Sequence, residues 1–468
     1  MEEVHQSDRE LYHIILLSSD AKKIMLIPSN DGFLLPLIGI PRWQRVAQNL
    51  TAEVQTQCGC NAVCLFTSEN TGQLEEFPKT NHQVMEYCRP ATKPKGNSPA
   101  EWVQVAALSR QDFVDPQDHV ELQRALTRLE NPRSSSSWPF TSLGWFQRLH
   151  VWVEDAISPL GLRLNGTFSQ LNASRSFALL RFETSGRPVW FKAVGEPNVH
   201  EFPITQALTK LFPQYLPQII ATQPAINGWL TLEAKGSSLS DETHLPSWNS
   251  AAETLAKLQL DSITETGLLV EAGARELPCF ALSKLIDPFF SVMGQLMEEQ
   301  AKVPPPLLTR DELLLLAEQI EQAFSSFQNL HLPDALGSLD LNPGNIIVSD
   351  SGCVFLDWAE AYVGNPLISF QYLLENFRRT CGQDENAEHK LTRTYVQPWT
   401  SVVPQDNLEK ALALAPLLAA YTYTVATGTW HDEIRLRTPG AAGHLRSLVR
   451  RMSREAKRLE ARRPLCTQ

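Results

Sequence analysis

Asp340 precedes Asn345 by five residues, and an apolar hairpin separates that pair from a second carboxylate, Asp357. The run Leu339-Asp340-Leu341-Asn342-Pro343-Gly344-Asn345 passes through a Pro-Gly turn into the strand Ile346-Ile347-Val348. Ser349-Asp350-Ser351-Gly352 then reverses the chain, and Val354-Phe355-Leu356-Asp357-Trp358 returns. An amide oxygen and a carboxylate are hard donors of the kind that Mg²⁺ takes. Two short strands joined by a tight turn would hold them on rigid backbone. A further carboxylate beside them suits a hydroxyl that must be oriented or relieved of its proton. In-line phosphoryl transfer needs this combination, because its barrier falls mainly through positioning and charge neutralisation. Asp and Asn are also frequent in ordinary turns, so the hairpin needs support from elsewhere in the chain.

That support is sought upstream. Phe177-Ala178-Leu179-Leu180-Arg181-Phe182 reads as a strand, Ser185-Gly186-Arg187 as a turn, and Pro188-Val189-Trp190-Phe191-Lys192-Ala193-Val194 as the returning strand. A helix is expected to start at His200-Glu201-Phe202, which puts Glu201 within reach of Lys192. Taken alone, a Lys near the end of a strand is often a solvated edge charge. Asn227–Glu233 reads as a further strand, and Phe212–Ile220 as another.

The segment around Asp340 resembles the Brenner-type motif of the aminoglycoside phosphotransferase and choline kinase family, written HGDxxxxN followed by a strand and IDW or IDF. The resemblance implies an α+β, two-lobed protein-kinase-like domain with a small β-rich lobe and a large, mostly helical lobe. It implies ATP and Mg²⁺ as cofactors and a small-molecule hydroxyl as acceptor. Asp340 falls on the catalytic Asp, while Asn345 and Asp357 fall on the two metal-binding positions. Lys192 falls on the nucleotide-binding Lys, which an ion pair with Glu201 would hold against the α- and β-phosphates. Ala361-Tyr362-Val363-Gly364-Asn365-Pro366 resembles the family's turn into the next helix. Three positions depart from the pattern. Ser338 and Leu339 replace the His and Gly before the catalytic Asp, and Ser369 replaces the Asp that braces the loop. Two outcomes follow: an active enzyme with a rewired brace, or a catalytically inactive, pseudokinase-like module that binds nucleotide. The phosphate loop is sparse, since Asn165–Ser174 offers one Gly among hydroxyls and amides.

Residues 1–130 alternate strand-like runs (Tyr12–Leu17, Lys23–Ile27) with an amphipathic stretch from Trp43 to Cys58 and a closing helix near Leu122–Leu129. This order resembles the Nudix fold, a smaller α/β domain. The Nudix box would fall on Ala52–Gly59, where only Glu53 and Gly59 match and Thr56 and Gln57 occupy the two adjacent metal-binding Glu positions. A lone carboxylate cannot build the Mg²⁺ cluster of a hydrolase, so this domain is expected to be inert as one. Residues 131–150 read as a Pro- and Ser-rich linker and an aromatic helix, 151–235 as the small lobe, and 236–468 as the helical lobe.

The chain has 468 residues, 43% of them apolar and 20% charged, which is ordinary globular composition. Its formal net charge of −11 argues against general nucleic-acid binding. No membrane span and no export signal are expected, and a cytoplasmic location follows from scattered, unpaired cysteines. Cys58, Cys60 and Cys64 read as buried thiols, lacking a second pair of ligands for a metal. Ala411–Val425 reads as a core helix. From Arg446 to Arg463, Arg and Lys residues form one face opposite Leu445, Leu448, Met452 and Leu459. That face is either solvated on a packed helix or a surface for an anionic partner.

Overall fold

A computed structural model describes residues 9–42, 44–68, 80–90, 100–131, 139–301 and 303–462. Trp43, Arg463 and residues 132–138 of the expected linker lie outside them. The chain divides into two compact units, Met1–Phe202 with Gln218–Glu233, and Pro203–Pro217 with Ala234–Gln468. One is rich in strand and the other in helix.

The first unit opens with β1 (Arg9–Leu17), β2 (Lys23–Ser29), β3 (Gly32–Leu34) and β4 (Leu37–Pro41), then α1 (Val46–Cys58). β5 (Cys60–Ser68), β6 (Thr80–Pro90), β7 (Glu101–Gln104), α2 (Pro116–Glu130) and α3 (Trp145–Ile157) follow. The strands form a seven-stranded mixed sheet of order β3-β2-β1-β6-β5, with β4 also on β1 and β7 on β2. β1 runs parallel to β6. Because side chains alternate along a strand, β1 serves two layers. Tyr12, Ile14 and Leu16 pack with Ala47, Leu50, Val54 and Cys58 of α1. Ile15 and Leu17 belong to a second core with Leu122 and Ala125 of α2 and the aromatic face of α3. Asp115 caps α2 by accepting from the Gln117 N–H at 2.8 Å, and Pro116 opens the helix where no N–H is needed.

A second, antiparallel sheet in this unit has the order β11-β12-β10-β9-β8. Its strands are β8 (Leu164–Ala173), β9 (Phe177–Thr184), β10 (Val189–Val194), β11 (Ile219–Gln223) and β12 (Gly228–Leu232). The expected loop Asn165–Ser174 is therefore mostly strand, and the ring of Phe168 on β8 packs at a tilt 4.4 Å from that of Phe146 on α3. The turn itself is Ser174-Arg175-Ser176. Both sheets share the α3 core. They are also stitched by Gln170, fully buried, which accepts from the Cys64 N–H at 2.7 Å and donates to the Cys64 carbonyl at 3.0 Å. Burial pushes the thiols of Cys58 and Cys60 up to about 11 and about 12, and Cys64 higher still, so all three stay as free thiols at neutral pH.

The boundary between the units falls inside α4 (Glu201–Leu211). The second unit continues with β13 (Ser237–Ser238), α5 (Leu245–Ser262), α6 (Thr266–Glu271), β14 (Arg275–Leu277), α7 (Cys279–Ser283), α8 (Ile286–Glu298) and α9 (Arg310–Gln328). β15 (Ala335–Ser338), β16 (Ile346–Ser349), β17 (Gly352–Phe355) and β18 (Ala361–Gly364) precede α10 (Leu367–Cys381), α11 (Glu385–Trp399), α12 (Gln405–Ala426), α13 (Glu433–Leu436) and α14 (Pro439–Arg462). Two small sheets, β13-β16-β17 and β14-β18-β15, sit among the helices. Thr309 and Glu312 form a capping box that starts α9. Most of α12 is buried, and no helix among the described residues is long and apolar enough to cross a membrane. Leu445, Val449, Met452 and Ala456 of α14 enter the main core. Its basic face is partly spent internally, since Arg446 donates to the Leu296 carbonyl at 2.9 Å and Arg451 pairs with Glu375.

One buried acid is set against its surroundings. Glu86 of β6 accepts from the Gly144 N–H, just before α3, at 2.8 Å. Burial pushes its carboxyl from 4.5 up to about 7, despite that hydrogen bond and the nearby Arg148. The folded state thus holds this proton more tightly than the unfolded chain does. Stability from the group is complete below its ordinary value and is lost as pH rises through about 7. Glu86→Gln is expected to stabilise the protein at pH 8, by no more than about 3 kcal/mol. That gain should shrink towards pH 5 in paired denaturant melts.

Candidate functional site

In the first unit, β10 lies between β9 and β12, so Lys192 is on a central strand rather than an edge. Its Nζ donates to Glu201 Oε1 at 2.6 Å, with the side chains 12% and 1% exposed. Two aromatic rings add to the cation's environment, Phe177 at 5.3 Å and Trp229 at 5.8 Å. Glu201 is in the first turn of α4, where a carboxylate is favoured by the helix dipole. A cation so restrained presents charge from a fixed point. The turn Ser174-Arg175-Ser176 lies beside β9 in sequence and contains no glycine. Ser174 Oγ and Ser176 Oγ are 3.1 Å apart, and the Gly195 N–H donates to the Ser176 carbonyl at 2.7 Å.

In the second unit, β16 and β17 pair with Ile346 opposite Phe355 and Ser349 opposite Gly352. The Leu356 N–H donates to the Asn345 carbonyl at 2.8 Å, one step beyond that ladder, so Asn345 and Asp357 emerge at the same end of the hairpin. Asn345 Nδ2 points to the Asp340 carbonyl at 3.5 Å, which leaves its Oδ1 as the end available to a cation. Asp357 has φ of +59°, a left-handed conformation uncommon for a residue with a side chain. Such strain persists only where the surroundings enforce it, and it concentrates at functional positions. Leu339 and Leu341 are buried and turn the intervening Asp340 outward. Oxygens from Asn345 and Asp357 suit Mg²⁺ chemically, since both are hard donors.

Two of the three departures from the motif, Ser338 and Ser369, meet in one hydroxyl network. The Ser338 N–H donates to Ser369 Oγ at 2.9 Å, Ser369 Oγ lies 3.1 Å from the Ser338 carbonyl, and the Asp340 N–H donates to Ser338 Oγ at 3.1 Å. The Tyr362 hydroxyl donates to the Asn365 carbonyl at 2.8 Å and lies 3.1 Å from Ser369 Oγ. Gly337 is required beside it: a Cβ there would meet the Tyr362 ring carbon at 2.2 Å. Leu339, where the motif has Gly, packs with Tyr362, Ile368 and Ala419.

Several groups near Asp340 were not foreseen. The Tyr372 hydroxyl donates to Asp340 Oδ1 at 3.4 Å, and burial together with the Asp340 charge pushes that phenol up to about 12. Tyr372 lines a cavity of about 190 Å³ with Ser338, Gln371, Glu375, Arg379 and Arg451. Glu375 in its wall is matched by Arg451 and, at 3.9 Å, by Arg379. The helical spacing of Ile368, Gln371, Tyr372, Glu375 and Arg379 on α10 was a usable signal, a mixed stripe immediately after the Asn365-Pro366 turn.

No family model matches this chain. No curated protein matches it either. Among solved structures it is similar to a choline kinase from Cryptosporidium parvum Iowa II, at 12% identity over 68% of this chain and 96% of that one, with a TM-score of 0.48. A Plasmodium vivax ethanolamine kinase is similar at 13% identity, 70% and 94% coverage and a TM-score of 0.44. An aminoglycoside phosphotransferase from Alicyclobacillus acidocaldarius subsp. acidocaldarius is similar at 13% identity, 60% and 88% coverage and a TM-score of 0.41. With TM-scores below 0.5, these likenesses leave the side chains to carry the functional reading.

Removing the Ser369 hydroxyl leaves the buried Ser338 N–H without its acceptor. Ser369→Ala should cost about 1–3 kcal/mol, the usual penalty for such an orphan. Urea unfolding followed by circular dichroism measures it, and a loss below a few tenths of a kcal/mol would show that the network does not hold the loop.

Proposed function

We propose that this chain is an ATP- and Mg²⁺-dependent phosphotransferase of the aminoglycoside phosphotransferase type, transferring a phosphoryl group to a hydroxyl of a small molecule. The observation that carries this reading is the Lys192–Glu201 pair at 2.6 Å inside the sheet. A buried ion pair contributes little net stability compared with apolar side chains of similar volume, so its upkeep points to use. Lys192 would hold the α- and β-phosphates with Glu201 fixing its position. Asn345 and Asp357 would take Mg²⁺, whose bound charge offsets that accumulating on the phosphoryl oxygens. Asp340 would orient the acceptor hydroxyl, with Tyr372 limiting how that carboxylate turns. The acceptor would enter the cavity along α10.

The remaining parts of the reading belong with it. Residues 151–235 and 236–468 are assigned as small and large lobes of a kinase-like domain, with residues 1–130 a Nudix-like domain that does not hydrolyse. Supporting the last point, Thr56 and Gln57 on α1 give Glu53 no carboxylate partner with which to hold Mg²⁺. A cytoplasmic location is proposed from the free thiols. A nucleotide-binding module without transfer is the second reading, favoured by the neutral Ser338–Ser369 brace and the glycine-free turn at Ser174–Ser176.

Isothermal titration with ATP, with and without Mg²⁺, tests the nucleotide site first. Metal-dependent binding is expected, weakened by Lys192→Met and by Asp357→Asn. Asp340→Asn should leave that binding nearly intact while lowering phosphate transfer to a panel of hydroxyl acceptors by about 10²–10⁴-fold. Binding with no transfer by the wild type would favour the second reading, and no binding would end both.

A further inference from the structure

A second cluster of ligand-type side chains lies in the first unit, apart from every group used above. Parallel pairing of β1 with β6 puts His13 directly opposite His82. Both side chains share the sheet face of Ile15 and Val84, the face covered by α2. From the first turn of α2, Asp118 inserts between them. Its Oδ1 is 2.8 Å from His13 Nδ1 and 2.8 Å from His82 Nε2. The two imidazole rings are 5.0 Å apart and inclined at 52°. All three donor atoms lie within 4.8 Å of one another.

We propose that His13 Nδ1, His82 Nε2 and Asp118 Oδ1 form a binding site for a divalent transition metal of the Zn²⁺ class, clamping α2 to the β1–β6 pair. The donor set decides the class of ion. Two imidazole nitrogens and one carboxylate oxygen suit a borderline cation, whereas Mg²⁺ takes oxygen ligands. Both nitrogens converge on the same carboxylate oxygen, so the three atoms surround a single point. Tetrahedral ligation with bonds of about 2.0–2.1 Å sets neighbouring donors about 3.3 Å apart. The 2.8 Å separations would therefore open by about half an ångström, which side-chain rotation supplies.

Burial favours the same reading. Asp118 is 1% exposed and His82 6%, while His13 at 21% leaves an edge for an ion to enter and a water to complete the shell. Metal binding would replace the two hydrogen bonds that Asp118 Oδ1 accepts, with each ring proton moving to the other ring nitrogen or to solvent. One turn further along α2, the buried Glu121 accepts from Ser68 Oγ at 2.5 Å, and Ser68 pairs with His82 across β5 and β6. That network stiffens the ligand strand from outside the donor shell.

The site is independent of the proposed phosphotransferase, and its test needs no nucleotide. Full-length protein is stripped with chelator, returned to buffer containing excess Mg²⁺, and titrated with Zn²⁺ by calorimetry and with Co²⁺ by absorption. One tight equivalent is expected, together with a raised Tm and the visible bands of a four-coordinate Co²⁺ site without thiolate charge transfer. His13→Gln, at the half-buried ligand, should keep the circular dichroism of the wild type and weaken Zn²⁺ at least tenfold. His82→Gln should do the same, while Asp357→Asn should leave Zn²⁺ binding unchanged. Wild-type uptake no greater than that of His13→Gln, thiolate bands in the Co²⁺ spectrum, or loss of the equivalent in Asp357→Asn would each overturn the proposal.

Discussion

A charge taken out of water is costly unless a counter-charge lies within a few ångströms, and several elements of this protein are arranged to supply one. Lys192 sits on a central strand, and α4 starts where its first-turn Glu201 can meet it at 2.6 Å. Asp118 is carried under the first sheet by α2 and meets two imidazoles that strand register has set side by side. Glu375 on α10 is matched by Arg451 from α14. Removing one partner of such a pair costs about 3–5 kcal/mol, far more than the intact pair contributes. The pairs therefore fix how helices end and sheets align more than they add stability. Glu86 is the contrasting case: burial outweighs the nearby Arg148 and pushes its carboxyl up to about 7.

The loop carrying Asp340 is held by a different device. Its brace consists of Ser338, Ser369 and Tyr362, all buried and neutral. The Tyr362 hydroxyl lies 3.1 Å from Ser369 Oγ, and only glycine at position 337 clears its ring. A neutral brace also avoids placing a second negative charge behind Asp340. It holds shape without altering the charge that Asp340 presents.

Much of this was legible in the residues. Alternation in Val189–Val194 and the turn at Ser349–Gly352 pointed to strands and hairpin, because each is local physics. Lys192 and Glu201 could be matched in advance because strand end and helix start lie close in sequence. Three things were not legible. Asn165–Ser174 looked like loop, since its Gly and amides outweigh a weak alternation, yet it is mostly strand, with Phe168 packed on Phe146. His13, His82 and Asp118 are separated by most of a domain, and only the parallel register of β1 and β6 unites them. The Ser338–Ser369–Tyr362 network depends on β15 pairing with β18, a contact that spacing alone does not reveal.

The shared core of the first unit links its two sheets more closely than a linker would. Phe146 of α3 lies among Phe168 and Phe182 of the second sheet, while the same helix packs with Leu122 and Ala125 of α2. Gln170 closes the contact with two buried hydrogen bonds to the backbone of Cys64. Separating the sheets would expose that apolar surface and leave buried amide groups unsatisfied, at about 1–3 kcal/mol for each orphaned group. The strand that bears Lys192 is therefore stabilised, through β9 and α3, by residues that precede it by more than a hundred positions. A bound metal that stiffened α2 against β1 and β6 would act on one wall of that same core.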